Sequence, residues 1–268
     1  MRRGMLRENR LSVGHGKSLM WKHLAVAVSF LTIFRLPWTS SEIASPADLA
    51  RSFSWFPLVG LMLGLCVVAP VYILQSGPPF VLAVLVAALL AVLTRGLHLD
   101  GLADVADGIG GGYTPERRLE IMKDSRTGPF GALALIFAVL LKVAALYTLI
   151  LSHCWFAILL APVLSRLAMV LGAYKMPYAR RVEGLAKPFL EHMELQQLLA
   201  AFLLSVLFLV FLSLKFAPFF LGIVVICAGL SRFFARRWLG GTTGDMLGAL
   251  NEITEVAVLT VSAFCFCG

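Results

Sequence analysis

Three aspartates lie at helical spacing just after an apolar run, in the segment HLDGLADVADG at residues 98–108. If this segment is helical, spacings of four and seven residues place Asp100, Asp104 and Asp107 within about 60° of one another on one stripe. Like charges on one stripe repel each other, so the pattern indicates a positive partner: a divalent cation, a cluster of Lys and Arg, or protons. The alternative is a solvated helix cap, which the neighbouring Gly, Lys and Arg residues make less favourable.

The next segment, residues 114–131, supplies basic groups close to these aspartates. It begins with Thr-Pro, a typical N-cap and first helical residue, and it ends at Gly-Pro, which stops a helix. The predicted short helix would carry Lys123, Asp124 and Arg126 back towards the membrane surface. Lys123 and Arg126 are three residues apart, so one helix face could present both to a diphosphate, and Arg can bind two oxygens at once.

Carboxylates beside Lys and Arg at a membrane surface suit metal-assisted phosphoryl transfer. Mg²⁺ binds carboxylate oxygens together with substrate phosphates, and two ions about 4 Å apart can stabilise the attacking and the leaving oxygen. We predict four ligands for Mg²⁺ or Mn²⁺: Asp100, Asp104, Asp107 and Asp124. Three groups are predicted to be catalytic: Asp107, Lys123 and Arg126. Later segments are predicted to be loops, among them residues 165–166, 178–187 and 240–255, the last of which carries Glu252 and Glu255. These loops supply three predicted substrate-binding groups: Arg166, Arg180 and Asp245.

The composition indicates a membrane protein. Hydrophobic residues make up 59% and charged residues 14% of the 268 residues, whereas soluble domains have about 25% charged residues. One integral membrane domain is therefore expected. The formal net charge of +8 suits membrane lipids with anionic head groups or phosphorylated substrates. A nucleic-acid partner is disfavoured, because no soluble basic domain is present to bind it.

Apolar runs and basic clusters together predict the membrane topology. Six runs are long enough to cross a bilayer: 55–75, 80–97, 130–151, 154–173, 198–214 and 217–234. Two further runs, 24–34 and 253–266, are shorter than a comfortable span and are predicted to be amphipathic or re-entrant. If 24–34 does not cross, every basic cluster falls on the cytoplasmic side, as the positive-inside rule requires.

The predicted fold is therefore all-α, a polytopic membrane bundle of about six transmembrane helices. Its short non-basic turns favour three antiparallel hairpins, at 55–97, 130–173 and 198–234. Residues 1–23 are predicted to be a basic cytoplasmic extension, and residues 24–268 a single membrane catalytic domain.

Several sequence blocks resemble those of a known family, the cobalamin synthases or adenosylcobinamide-GDP ribazoletransferases. They occur in order over roughly residues 24–260: FLTIFRLP, FPLVGLMLG, GLHLDGLADVADGIGGG, RLEIMKDSRTGPFGALAL and GGTTGDMLGALNEITE. The longer basic N-terminus and the run YARRVEGLAK depart from the family pattern. The resemblance implies the last step of cobalamin assembly, in which α-ribazole or its 5′-phosphate is joined to adenosylcobinamide-GDP and GMP is released, with Mg²⁺.

An enzyme of the bacterial or archaeal plasma membrane is therefore expected, and the basic clusters place its active-site loops on the cytoplasmic side. Association with a second copy or with other corrinoid-assembly enzymes stays open. Two other functions are weighed against this one. A CDP-alcohol phosphotransferase should show D-x-x-D-G…G-x-x-x-D-x-x-x-D, but this chain has D-G-x-x-D-x-x-D-G. An ion- or proton-coupled carrier usually places ionisable groups within broken helices, and the aspartates are predicted to follow a continuous run, which favours an enzyme.

Overall fold

The computed structural model describes residues 20–36, 45–180, 184 and 186–265. Most of the predicted basic extension, and part of the run YARRVEGLAK, lie outside these residues. Within them the regular elements are helices, accompanied by one isolated bridge between Tyr178 and Thr242. The helices are α1 (Met20–Leu31), α2 (Pro46–Ser52), α3 (Phe56–Ile73), α4 (Pro79–Leu93), α5 (Leu97–Gly111), α6 (Pro115–Ile121), α7 (Pro129–Leu151), α8 (Trp155–Ala173), α9 (Lys187–Glu191), α10 (Leu195–Ser213), α11 (Ala217–Leu239) and α12 (Gly244–Cys265).

The predicted all-α membrane bundle is confirmed. Six helical stretches of the described chain are long and apolar enough to cross a membrane: Pro46–Ile73, Pro129–Leu151, Trp155–Ala173, Leu195–Leu212, Leu214–Leu239 and Gly244–Cys265. The run 24–34 corresponds to the short apolar helix α1. The run 253–266 was wrongly predicted to fall short of a span. The polar stretch before it is also helical, so α12 reaches 22 residues.

The run 80–97 is not one continuous helix, contrary to the prediction. Helix α4 ends at Leu93, and the chain turns by 88° into α5. Arg95 and Gly96 form this bend with positive φ angles of 54° and 66°, a region that glycine adopts at little cost. The backbone N–H of Gly96 donates to the Ala91 carbonyl at 2.8 Å and closes the turn. The aspartates therefore lie on a separate helix, so the argument against a carrier that relied on a continuous run does not hold.

Packing between helices distant in sequence forms the core. Consecutive helices do form the predicted hairpins, yet α3 packs most extensively against α8, and α12 packs against α5, α7 and α8. Glycines on α3 make the first of these interfaces close. A Cβ atom on Gly60 would lie 2.7 Å from the Val163 Cα, and one on Gly64 would lie 2.6 Å from the Leu159 carbonyl oxygen. The backbones of α3 and α8 are therefore almost in contact.

Substituting Gly60 by alanine is expected to destabilise the bundle by about 1–3 kcal/mol, the usual cost of overpacking. Thermal unfolding of the detergent-solubilised protein would measure this as a lower Tm, by about 2–4 °C per kcal/mol. Gly222→Ala on α11 is the matched control, because beyond its own stretch of helix backbone the added carbon would have no described atom within 4 Å. Equal Tm values for the two variants would contradict the close α3–α8 contact.

Candidate active site

The aspartate helix α5 and the first turn of α12 touch through small residues. A Cβ atom on Gly101 would lie only 2.7 Å from the backbone oxygen of Asp245, and one on Gly248 would lie 3.5 Å from the Gly101 Cα. The glycine that directly follows Asp100 therefore allows α12 to approach the aspartate stripe. As a result Asp245, predicted here as a substrate-binding group, lies beside the predicted metal ligands of α5.

A short backbone pairing brings a third part of the chain to the same place. The N–H of Ala179 donates to the Thr242 carbonyl at 2.9 Å, and the N–H of Thr242 donates to the Pro177 carbonyl at 2.8 Å. The next residue, Arg180, donates from Nη2 to Oδ2 of Asp245 at 2.6 Å. Two predicted substrate-binding residues, 65 positions apart in sequence, are thus an ion pair.

These three parts of the chain surround a cavity of about 250 Å³. Its polar lining consists of Asp100, Asp245, Arg180, Tyr178 and His98, and the remaining walls are mainly aromatic and aliphatic side chains from α1, α3 and α9 and from the turn after α2. Asp100 is exposed and also lines a wider groove of about 480 Å³ on the other side of α5. The site therefore combines carboxylates and one guanidinium with an apolar enclosure, next to an open surface.

The carboxylates of the site repel one another. Asp104 is half-buried and interacts electrostatically with Asp100, Asp245 and Asp107, and the positive group that acts on it is Arg180. In the described ranges no group of three or more His, Cys, Asp or Glu side chains is arranged to hold a metal ion. Mg²⁺, however, is commonly bound by one or two carboxylates together with substrate phosphates and water. Asp100 and Asp104 could supply these one or two carboxylates.

Asp107 has a structural contact that the sequence did not predict. Its Oδ2 accepts a hydrogen bond from the Gly128 N–H at 2.7 Å, and its Oδ1 accepts one from the Gly131 N–H at 2.8 Å. These donors belong to the N-terminus of α7, where unpaired N–H groups and the helix dipole favour a negative charge. Asp107 is buried and caps α7 from the neighbouring helix. Its metal-binding and catalytic roles stay predictions.

Replacing Asp107 by alanine is expected to lower the free energy of unfolding by about 0.5–2 kcal/mol, the cost typical of a lost N-cap. The matched control is Asp124→Ala, because Asp124 is exposed and pairs with an exposed arginine. Such a surface substitution usually changes stability by less than about 0.5 kcal/mol. Chemical unfolding in detergent compares the two variants, and equal losses would argue against capping by Asp107.

The predicted helix face shared by Lys123 and Arg126 is wrong, because α6 ends at Ile121. Asp124 accepts hydrogen bonds from the Arg126 backbone N–H at 3.1 Å, from Nε at 3.0 Å and from Nη2 at 2.6 Å. This local pairing stabilises a turn, so the chain does not continue as a helix after α6. The Arg126 hydrogen bonds lower the pKa of Asp124 to about 2. The ligand role of Asp124 and the catalytic roles of Lys123 and Arg126 stay predictions.

Arg166 was wrongly placed in a loop. It lies within α8, and its Nη1 donates to Oε2 of Glu255 at 2.8 Å. Lys142 of α7 contacts both Glu252 and Glu255 of α12. The two glutamates therefore lie on a helix and not in the predicted loop, and the sequence pattern assigns no role to Lys142. A lysine and an arginine within apolar runs are the signal that could have revealed this buried set. The substrate-binding role of Arg166 stays a prediction.

Comparisons with known proteins agree with the family resemblance of the sequence blocks. The family model for cobalamin-5-phosphate synthase matches residues 23–263. The adenosylcobinamide-GDP ribazoletransferase of Syntrophobacter fumaroxidans is 57% identical, over 91% of this chain and 99% of that protein. The proteins of the same name from Pseudomonas paraeruginosa and Desulforamulus reducens are 41% and 40% identical, over 90% of this chain and 97% and 95% of theirs. No solved structure matches. The chain therefore belongs to the cobalamin-5-phosphate synthase family.

Proposed function

We propose that this protein is an adenosylcobinamide-GDP ribazoletransferase, which catalyses the last step of cobalamin biosynthesis. A hydroxyl oxygen of α-ribazole, or of α-ribazole 5′-phosphate, forms a bond to the phosphorus that stays with cobinamide, and the hydroxyl proton passes to water. The bond from that phosphorus to the bridging oxygen breaks, and GMP leaves. The observation that carries this proposal is that Asp100, Asp245 and Arg180 converge on one cavity in a chain of this family.

Arg180 is suited to binding the diphosphate. Its Nη2 is held by Asp245, whereas its Nε is buried and has no hydrogen-bond partner among the described residues. A buried donor without a partner is costly, and a phosphate oxygen would satisfy it. A planar guanidinium can bind two oxygens side by side, and the hydrogen bond to Asp245 orients that of Arg180.

We also propose that Asp100 and Asp104 bind Mg²⁺, for which Mn²⁺ could substitute. Both carboxylates supply the hard oxygen ligands that these ions prefer. When bound, the ion would offset negative charge on the diphosphate during transfer. The residues of the chain would hold the substrate phosphates between this carboxylate pair and Arg180, and the apolar walls would limit the access of water.

The test is GMP release by the purified full-length protein in lipid nanodiscs. GMP should appear from adenosylcobinamide-GDP only when α-ribazole or its 5′-phosphate is added, and it should depend on Mg²⁺. Arg180→Lys keeps the charge but loses the planar fork, so its rate should fall, whereas Arg237→Lys on an exposed position should not change it. A folded protein that releases no GMP with either form of α-ribazole would refute the proposal.

We infer that the site faces the cytoplasm and that α4 crosses the plasma membrane of the source cell. This orientation places the basic segments inside, as the positive-inside rule requires. In intact cells, with the native cysteines removed, a membrane-impermeant thiol reagent should label Ser76→Cys and Ser152→Cys at the exposed turns after α3 and α7. Thr114→Cys, next to α6, should react only after the membrane is opened. Labelling of Thr114→Cys in intact cells would show that the inferred orientation is wrong.

A further inference from the structure

A second cavity lies on the other side of His98. It has a volume of about 180 Å³ and is lined by residues of α4, α5, α7, α8 and α12, and it opens to the outer surface between α4 and α7, where Val84 and Val139 are exposed. The side chain of His98 lines this inner cavity and also the site cavity described above. His98 therefore borders both the inner cavity and the cavity where Asp100, Asp245 and Arg180 meet.

The inner cavity is bordered by buried polar atoms that lack partners. His98 is 2% exposed, and neither of its ring nitrogens has a hydrogen-bond partner among the described residues. Arg166 is 1% exposed, and its Nε likewise has none. Buried polar groups in proteins are nearly always hydrogen-bonded, and exceptions call for an explanation. Two such side chains at one cavity indicate that a polar group of a ligand belongs there.

The remaining lining defines the character of this ligand. Aliphatic side chains of α4 and α7 form most of the wall: Val84, Ala87, Ala88, Leu90, Ala91, Val139 and Val143. The charged residues of the lining are the buried set of Lys142, Arg166, Glu252 and Glu255, in which two cations pair with two carboxylates. Because this set is neutral as a whole, it does not favour a phosphate or a metal ion. An uncharged molecule with an apolar body and a polar edge fits best.

We propose that the inner cavity binds the aromatic base of the ribazole substrate, and that His98 hydrogen-bonds its polar edge. This inference rests on the proposed function. A two-ring heterocycle is flat and apolar on its faces, and its ring nitrogens are confined to one edge. The nucleoside would then extend past His98, so that its sugar reaches the side of α5 where Asp100 and Arg180 bind the diphosphate. The two substrates would occupy two cavities that meet at His98.

The first test fills the cavity and measures binding without catalysis. Benzimidazole binding to the purified protein in nanodiscs is followed by calorimetry, and the KM for α-ribazole is measured in parallel. Ala88→Phe should weaken both by at least about tenfold, as expected when apolar volume is removed from a binding pocket, while the KM for adenosylcobinamide-GDP stays unchanged. Leu85→Phe is the matched control, because Leu85 lies one turn away on α4, is 54% exposed and does not line the cavity.

A second variant keeps the inference testable if Ala88→Phe does not fold. Val143→Ala removes bulk from the wall, so it should shift binding towards a bulkier base such as a naphthimidazole, relative to benzimidazole. Unchanged benzimidazole binding in Ala88→Phe, or an unchanged preference in Val143→Ala, would overturn the inference. If the wild-type protein does not bind benzimidazole but releases GMP normally, the inference about the cavity is wrong and the proposed function stands. If it binds benzimidazole but releases no GMP, the proposed function is wrong and the cavity still binds an aromatic base.

Discussion

Lys142→Met is expected to lower the free energy of unfolding by about 3–5 kcal/mol, the loss typical when one partner of a buried ion pair is removed. Lys142 is buried and contacts both Glu252 and Glu255. Methionine has a similar length and shape, so little of the loss would come from packing. It would come from two buried carboxylates left with Arg166 as their cationic partner in this set. Chemical unfolding of the detergent-solubilised protein measures the change.

Two further variants show whether charge is the cause. Lys175→Met makes the same chemical change at an exposed position and should cost less than about 0.5 kcal/mol. Combining Lys142→Met with Glu252→Gln leaves Arg166 and Glu255 as a neutral pair, which should restore part of the lost stability. If the double variant is no more stable than Lys142→Met, charge imbalance is not the reason for the loss.

Asp104→Asn is expected to reduce the rate of GMP release by more than about 100-fold, above the 10–100-fold cost of groups that only orient a metal ligand. The substitution removes a charge but barely changes the side-chain volume. The reason is electrostatic, because Asp104 shares the site with Asp100 and Asp245 and is proposed to bind Mg²⁺. Initial rates measured over a range of Mg²⁺ concentrations should show partial recovery at high Mg²⁺.

Glu120→Gln is the matched control for this prediction. Glu120 lies on α6, its side chain is exposed, and it pairs with the exposed Arg117. Its conversion to an amide should leave the rate unchanged. A wild-type rate for Asp104→Asn at limiting Mg²⁺ would show that this carboxylate does not bind a catalytic ion, and the proposed pair of ligands would be wrong.

The bundle could be predicted because hydropathy reports directly on membrane crossing. The bend between α4 and α5 could not be predicted in this way. Between Leu93 and Leu97 the direction of the chain depends on backbone angles at Arg95 and Gly96, and hydropathy does not describe these. A similar limit applies to α12. The polar first half of α12 is predicted from the sequence to be a loop, because polar side chains normally lie in water. They can be buried in a helix here because buried partners such as Lys142 pair with them. The partners come from α7 and α8, more than 80 residues earlier in the chain.

The candidate site was predictable as a set of residues but not as an arrangement. The stripe of Asp100 and Asp104 follows from helical periodicity alone. The contact of Arg180 with Asp245 follows from the backbone pairing of Pro177 and Ala179 with Thr242, which no local pattern contains. Asp107 satisfies the periodicity equally well, yet its partners are backbone N–H groups at the start of α7. Where a helix begins in space relative to another helix is a property of the packed bundle.

The shortness of α4 has a consequence for the surrounding lipid. A helix of 15 residues rises by about 22 Å, whereas the hydrocarbon layer of a bilayer is about 30 Å thick. If α4 crosses the membrane, this hydrophobic mismatch is relieved most simply by local thinning of the bilayer beside it. The aqueous boundary would then dip inwards at α5, so that large hydrophilic substrates meet the carboxylates below the level of the surrounding head groups. Acyl-chain length in the host membrane would thus become a determinant of turnover.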